Sequence, residues 1–176
     1  RTFDWERGRT AFAAALDLAR AGGDTELVAM ALMGLAGMQE EEQDGATRGP
    51  GVPESPAHAR RALALQQEAV RLAVGLGDTY LLAYCRLNEA SILHSLAEYA
   101  SAERILLRIL DDPSAEAVHG TAFIVLGQIH LDRGDAGAAL DLCTRALRRL
   151  EGGNRLYQQV CVEELLVGVH EALGDH

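Results

Sequence analysis

The stretch from Gly120 to Gly153 most constrains what this chain can fold into, because it has the pattern of two helices joined by a tight Gly134-Asp135 turn. Before the turn, one helical face is marked at the i, i+3, i+4, i+7 spacing by Phe123, Leu126, Gly127 and His130. After the turn, the helical spacing returns at Ala139, Cys143 and Ala146. Gly127 and Ala139 project little or no side chain, so they predict two helix backbones in close contact.

The composition also favours helices. The chain has 176 residues, 48% of them apolar and 24% charged, so it is long and apolar enough to fold around a sizeable core. Aromatic residues make up only 5%, while alanine and leucine abound, which favours helices over a β-sandwich. The net charge of −10, with arginine and no lysine, argues against a general nucleic-acid-binding surface.

Two further features bear on the compartment. The sequence contains neither an apolar run of about 18 residues nor a signal-peptide pattern, so we expect no membrane span. Its three cysteines show no CxxC spacing, which favours a reduced compartment and a cytoplasmic protein.

The pattern of two helices joined by a turn recurs, less regularly, in the part of the chain that precedes Gly120. The preceding unit runs from about Ala83 to Pro113, with Leu96 to Tyr99 as its turn. Further upstream, a first helix is predicted at Leu27 to Met38 and a second helix at Ala62 to Leu72. Between them, Glu40 to His58 holds three of the four prolines, so this segment predicts a mobile inserted loop.

The ends of the chain have the pattern of half-units. Arg9 to Ala21 is typical of a second helix, and Leu156 to Leu173 of a first helix. We expect flanking domains or self-association to cover the apolar surface that such open ends leave. Because the chain begins with an arginine rather than a methionine, we expect it to be a piece of a longer protein.

The register of the first helix in the 83–113 unit is left open by the sequence. One alignment places Arg86 and Glu89 at normally apolar positions. A shift by one residue uses instead Leu87, Ala90, Ser91 and His94.

The 120–153 unit resembles the tetratricopeptide repeat, a helix pair of about 34 residues. The residues that match its pattern are Phe123, Leu126, Gly127, Ala139 and Ala146. Two aromatic positions hold His130 and Cys143, and Glu151 stands in place of the closing proline. The resemblance implies an all-α fold, a right-handed α-solenoid of antiparallel helix pairs with about eight helices, as a single domain over residues 1–176.

The longer, leucine- and alanine-rich form of these units is similar to the repeats of MalT-like and SARP-like bacterial transcriptional regulators. In a solenoid of this kind the first helices line the concave surface, which binds peptides, helices or neighbouring domains. We therefore predict a non-catalytic protein- or peptide-binding module. The concave residues expected to contact a partner are Met30, Met33, Gly37, Tyr84, Leu87, Asn88, Ser91, His94, Thr121, Ile124, Gln128 and Glu164.

The expected partners follow from this surface. They are a protein or peptide, the flanking domains of the same chain, or a second copy that forms a homodimer through the open ends, and neither nucleic acid nor a membrane. Glu40, Glu41 and Glu164 would make the groove acidic, which favours a basic or apolar ligand. The alternative hypothesis is the effector-sensing region of a bacterial transcriptional regulator, in which the inserted loop closes over a small molecule or peptide.

The sequence indicates no catalytic, cofactor or metal site. The P-loop, nucleophile-elbow, zinc-protease and dinucleotide-binding motifs are all missing. His94, His130 and His170 recur at similar points of successive first helices, where the repeat spacing would keep them too far apart to share a metal ion. The basic cluster suits the C-terminal end of a helix and consists of Arg145, Arg148, Arg149 and Arg155. We thus predict a protein that is not an enzyme and holds neither cofactor nor metal.

Overall fold

The structure, a computed structural model, describes residues 5–39, 56–150 and 156–174. Within these ranges the regular elements are eight α-helices and one short 3-10 helix, Pro113–Ala115, which confirms the all-α prediction. The α-helices are α1 (Trp5–Gly22), α2 (Thr25–Gln39), α3 (Pro56–Leu76), α4 (Thr79–Ser95), α5 (Tyr99–Asp111), α6 (Glu116–Asp132), α7 (Ala136–Leu150) and α8 (Leu156–Leu173).

The chain divides into two compact units, Arg1–Glu98 and Tyr99–His176. In the first unit, α1 packs on α2, α2 on α3 and α3 on α4. In the second unit, α5 packs on α6, α6 on α7, and α8 on both α6 and α7. Each unit therefore buries its apolar faces between helices that are neighbours in the sequence.

Helix α3 begins earlier than the sequence predicted. Its first residue is Pro56, so residues 56–58, which we had assigned to the inserted loop, form the first turn of the helix. A proline suits the first position of a helix, because its ring fixes φ at a helical value and the missing N–H would have no partner there. The remainder of the predicted loop, 40–55, lies outside the described residues.

The turn before α7 shows how these helix pairs are joined. Gly134 has a φ of 81°, and its N–H donates to the Leu131 carbonyl at 2.9 Å. The Asp135 N–H reaches back to the His130 carbonyl at 2.8 Å, which closes α6 in a Schellman motif. The Asp135 carboxylate then accepts a hydrogen bond from the Ala138 N–H at 3.0 Å and caps α7. The same pairing of glycine and aspartate precedes α2 and α4, at Gly23-Asp24 and Gly77-Asp78.

The turn after α4 departs from this chemistry. Ala97 adopts a φ of 58°, where the turns before α2, α4 and α7 have glycine. Its N–H donates to the His94 carbonyl at 2.8 Å, and the Glu98 N–H donates to the Leu93 carbonyl at 2.9 Å. The hydrogen bonds of the motif are thus kept, but a β-carbon is held in the left-handed region, which costs about 1 kcal/mol.

The predicted close approach of α6 and α7 is confirmed. A β-carbon built on Gly127 would lie 3.5 Å from the Leu142 β-carbon and 3.7 Å from the Ala139 carbonyl oxygen. Ala139 itself is fully buried. These are ordinary van der Waals distances, so a side chain longer than that of alanine at either position would push the two helices apart.

The left-handed alanine yields a stability prediction. Ala97→Gly should raise the free energy of unfolding by about 1 kcal/mol, because it removes the steric cost of the β-carbon while keeping the turn. Urea denaturation measures the change. The reciprocal control, Gly134→Ala, should lower the free energy of unfolding by about 1 kcal/mol. A neutral or destabilising Ala97→Gly would contradict this account of the turn.

Candidate binding groove

The buried clusters of the first unit show in which direction α2, α3 and α4 run relative to one another. One buried cluster joins Val28 near the start of α2 and Leu81 near the start of α4 to Ala73 near the end of α3. A second cluster joins the later residues Ala36 and Ile92 to an early one, Ala62. Helices α2 and α4 therefore run parallel to each other, and both are antiparallel to α3.

A cavity of about 140 Å³ lies where α2 and α4 meet over α3. The described residues that line it, here called the α2–α4 cavity, are Met33, Ala36 and Gly37 of α2, Gln66 of α3, and Asn88, Ser91 and Ile92 of α4. Ala36 and Gly37 bring little side-chain volume to their side of the cavity. A β-carbon on Gly37 would meet no atom of the described residues within 4 Å, so no described side chain closes this wall.

Gln66 is the polar residue of the lining that belongs to the buried core. Its side chain is fully buried, and its Nε2 donates a hydrogen bond to the Cys85 carbonyl at 2.9 Å. A carbonyl oxygen can only accept, so this contact identifies the nitrogen of the amide and fixes the position of Oε1. Among the described residues, no group donates a hydrogen bond to Oε1, which is buried. A buried acceptor without a donor costs about 1–3 kcal/mol.

The other polar groups of the lining also offer acceptors. The Ser91 hydroxyl donates to the Leu87 carbonyl at 3.2 Å, so its hydrogen is committed while its oxygen can still accept. Asn88, which is half-buried, brings both a donor and an acceptor. None of the described lining residues carries a charge. The cavity is therefore polar, uncharged and richer in acceptors than in donors.

Cys85 contacts Met33, a residue of the cavity lining, but it does not supply a nucleophile. Its Sγ lies 3.3 Å from the Met33 Sδ, to which the thiol donates. Burial raises the pKa of the Cys85 thiol to about 11. The thiol therefore remains protonated at neutral pH, and its contact with Met33 is one of packing.

Exposed apolar side chains continue the cavity along the same helix faces. Met30 precedes Met33 by one helical turn and is 52% exposed. On α4, Tyr84 precedes Asn88 by one turn and is 37% exposed. Tyr80, one turn earlier, is 56% exposed, and its ring packs against that of Tyr84 at a tilt of 52°, with ring centroids 5.5 Å apart. We call the cavity lining together with Met30, Tyr80 and Tyr84 the α2–α4 groove.

The predicted concave residues occupy different environments. The structure places Met33, Gly37, Asn88 and Ser91 in the cavity lining, and Met30 and Tyr84 on the exposed faces beside it. Leu87 is buried in the core, so it offers no surface to a partner. His94 is half-buried near the end of α4. The other predicted residues belong to the second unit, where Thr121, Ile124 and Gln128 are half-buried on α6 and Glu164 is exposed on α8.

Sequence reasoning missed Gln66 because it lies on a second helix, which we expected to contribute only core residues. The sequence did contain a sign of this role, in the spacing of the small residues along α3. A buried face of α3 repeats at helical intervals through Ala59, Ala62, Gln66, Ala69 and Ala73. A carboxamide in the middle of an alanine face requires a hydrogen-bonding reason.

His119 was also missed, and its role is structural. Its Nε2 lies 2.9 Å from the Ile109 carbonyl oxygen and 3.0 Å from that of Asp112. Both oxygens can only accept, so Nε2 must carry the hydrogen. The imidazole thus satisfies carbonyls at the end of α5 and holds α6 against it.

The histidines, cysteines and arginines considered above as candidates for catalysis or metal binding do not form a reactive site within the described residues. Within 5–39, 56–150 and 156–174, no three histidine, cysteine or acidic side chains lie close enough together to hold a metal ion. Burial raises the pKa of the Cys143 and Cys161 thiols. In the basic cluster, the Arg145 guanidinium lies 4.4 Å from the centre of the Phe123 ring, and Arg149 pairs with Glu116 at 2.8 Å.

Arg155, the last member of that cluster, lies outside the described residues, as do Glu40 and Glu41. None of the helices in the described part of the chain has the length and apolar character needed to cross a membrane.

The buried amide yields a stability prediction. Gln66→Met keeps the length of the side chain, loses one hydrogen bond and removes the buried acceptor that lacks a donor. The second effect is larger, so the free energy of unfolding should rise by about 1 kcal/mol. Urea denaturation measures it. The control is Gln67→Met on the exposed side of the same helix, which loses only a long hydrogen bond to Glu89 at 3.5 Å and leaves Glu89 paired with Arg86, so it should change the free energy of unfolding by less than about 0.5 kcal/mol. A loss of more than about 2 kcal/mol for Gln66→Met would mean that Oε1 is satisfied within the chain.

Comparisons with known proteins leave the groove as the main source of functional information. No protein-family model matches the chain. Neither the curated proteins nor the solved structures yield a match.

Proposed function

We propose that this chain is a non-catalytic interaction module that binds a segment of a protein partner in the α2–α4 groove. The observation that carries the proposal is the α2–α4 cavity with its uncharged lining, which lies beside exposed apolar side chains on α2 and α4. The exposed apolar side chains beside the cavity extend the surface available for contact.

The size of the cavity separates a protein segment from a small effector. Pockets for whole small-molecule ligands usually enclose about 300–1,000 Å³. The α2–α4 cavity, which is open to one side, offers about 140 Å³ between the described residues, close to the roughly 150 Å³ that suffices for one benzene ring. It therefore accommodates a single side chain, while the backbone and flanking side chains of the segment would lie along Met30, Tyr80 and Tyr84. This argument favours a peptide or helix over the effector of the alternative hypothesis.

Charge further restricts the partner. The chain carries a net charge of −10, which repels acidic segments at long range. The groove itself presents methionine, tyrosine and amide side chains, which suit apolar and neutral polar contacts. An apolar segment with neutral or basic flanks is therefore the expected partner class.

The proposal also covers the arrangement of the helix pairs and the kind of protein in which the module would act. We assign the helix pairs to a right-handed, tetratricopeptide-like solenoid because the Gly127–Ala139 contact and the glycine–aspartate turns match the pattern of such repeats. The module would serve a cytoplasmic bacterial regulator by holding a partner or a neighbouring domain. This assignment rests on the repeat-like packing of consecutive helices.

A peptide selection tests the proposed function. A random peptide library displayed on phage and selected on the full chain should yield apolar sequences that bind with micromolar or better affinity. Gly37→Leu, which places a side chain at the open wall of the cavity, should weaken these peptides at least about tenfold in calorimetric titrations, a loss of about 1.4 kcal/mol.

Gly75→Leu is the matched control, because Gly75 is also a helical glycine whose β-carbon would meet no atom within 4 Å, but it does not line the cavity. It should leave binding unchanged. Failure to select any peptide, or equal losses for the two variants, would contradict the proposed function.

A further inference from the structure

One face of α8 is not covered by any described helix. Val162, Leu165 and Val169 are buried where α8 packs on α6 and α7. The opposite side of the helix, here called the α8 face, is exposed and consists of Leu156, Val160, Glu163 and Val167. We propose that the α8 face binds helix α1 of a second copy of this chain. Neither helix contributes to the α2–α4 groove, so the inference stands apart from the proposed function.

Helix α6 is the internal reference for α8. Each of the two helices is followed by a glycine in the left-handed region, Gly134 with a φ of 81° and Gly174 with a φ of 76°. Alignment of the helices at these glycines also matches their burial. Val169 of α8 falls at the position of Ile129 of α6, and both are fully buried. The residues of α8 can therefore be compared with those of α6 position by position.

In α6 the equivalent face packs against α7. The α6 residues that contact α7 are Gly120, Phe123 and Gly127. Their positions in α8 are held, in the same order, by Val160, Glu163 and Val167. Val160 is 42% exposed and Val167 is 59% exposed. The α8 face is thus the side to which a second helix binds in this fold, and it is accessible.

Helix α1 also has an exposed apolar face. Leu16 and Ala19 are buried where α1 packs on α2. On the other side of the helix, small and apolar residues recur at helical spacing. These residues, here called the α1 face, are Ala11, Ala14, Leu18 and Ala21, all of them exposed.

The α1 face corresponds to a covered side of α3. Both helices are followed by a left-handed glycine, Gly23 with a φ of 70° and Gly77 with a φ of 69°. Alignment at these glycines places Leu18 at the position of Leu72 in α3. Leu72 packs against the buried cluster of the first unit, whereas Leu18 is 73% exposed. The α1 face is therefore a helix-packing surface that has no helix against it in the described chain.

The two faces complement each other in shape. Where α6 meets α7, the backbones approach closely through Gly127 and Ala139. The α8 face has Val167 in place of that glycine, so a helix that packs on it must bring the small residues. The α1 face supplies three alanines and one large side chain, Leu18. Valines set against alanines let two helices pack without a void or a clash.

Charge favours this pairing over a pairing of two α8 faces. Helix α8 carries the carboxylates of Glu163, Glu164 and Glu171 and contains no arginine. Two copies of α8 in contact would place these carboxylates opposite each other, and like charges repel. Helix α1 contains three arginines and two acidic residues, so it does not meet the same repulsion.

The direction of the helices adds an attractive contact. Gly120 near the start of α6 lies against Leu150 at the end of α7, so the two helices are antiparallel. A helix α1 that takes the same place on α8 would begin near Glu171. Arg7 lies on the α1 face, one turn before Ala11, and would approach that carboxylate.

Sedimentation velocity of the full chain tests the inference. In about 0.15 M salt, which screens most of the repulsion between chains of net charge −10, the chain should associate below about 100 μM. Leu18→Gln in the α1 face and Val167→Gln in the α8 face should each weaken the association at least about tenfold. Each removes a large apolar side chain from the contact and keeps a residue that favours helix.

A mixture of the two variants shows which faces meet. Each variant retains the face that the other has lost, so an equimolar mixture should associate more tightly than either variant alone. The matched controls are Val74→Gln and Leu107→Gln, which alter exposed side chains outside both faces and should behave as the unaltered chain. All four altered side chains are exposed, so the variants should keep the helix content of the unaltered chain in circular dichroism.

Four results would overturn the inference. The first is a chain that stays monomeric up to about 100 μM. The second is association that neither Leu18→Gln nor Val167→Gln weakens. The third is a loss in Val167→Gln alone, which would indicate that two α8 faces pair. The last is a mixture that associates no more tightly than its components.

Discussion

Contact between helix backbones through alanine is the interaction on which the first unit depends. Ala29 of α2, Ala90 of α4 and the alanines that face them from α3 are fully buried. Such small side chains let antiparallel helices approach closely and bury the apolar faces that the chain cannot leave in water. They also bring little volume, so space remains wherever no larger residue fills it. In the second unit, Leu165 fills the space over Gly127, with its Cδ2 3.0 Å from where a β-carbon would lie, whereas no described residue fills the space beside Gly37 in the first unit.

A polar residue at the floor of such a space has two opposing effects. The hydrogen bond from Gln66 to the Cys85 carbonyl ties α3 to α4, yet the same amide buries an oxygen that lacks a donor among the described residues. An apolar residue of the same length would pack as well and avoid that cost. This local conflict between packing and polarity is typical of functional sites, where a protein gives up stability for an interaction with another molecule. The uncharged lining and the small volume of the cavity fit one neutral side chain of a partner.

Helical periodicity, glycine–aspartate pairs and small residues were sufficient to predict the helices, their turns and the contact of Gly127 with Ala139. They could not predict the start of α3, because Pro56 is compatible both with a loop and with the first position of a helix. They also could not predict the left-handed Ala97, which carries no sequence signal of its own. For the groove, first-helix positions led to Met33, Asn88 and Ser91, but Gln66 lies on a second helix, and its role depends on the Cys85 carbonyl across the helix contact. Burial of Leu87 likewise depends on how α4 is rotated, which the sequence left open.

The central claim is that a hydrogen bond to the Cys85 carbonyl holds the Gln66 amide inside the core and ties α3 to α4 beside the α2–α4 cavity. Hydrogen exchange of the glutamine side-chain amides, followed by NMR in the free chain, tests this claim most directly. The neighbouring Gln67 is an internal reference, since it is exposed on the same helix. We predict that the Nε2 protons of Gln66 exchange far more slowly than those of Gln67 and show contacts with protons of α4 near Cys85. Equal exchange rates for the two side chains, without such contacts, would contradict the account.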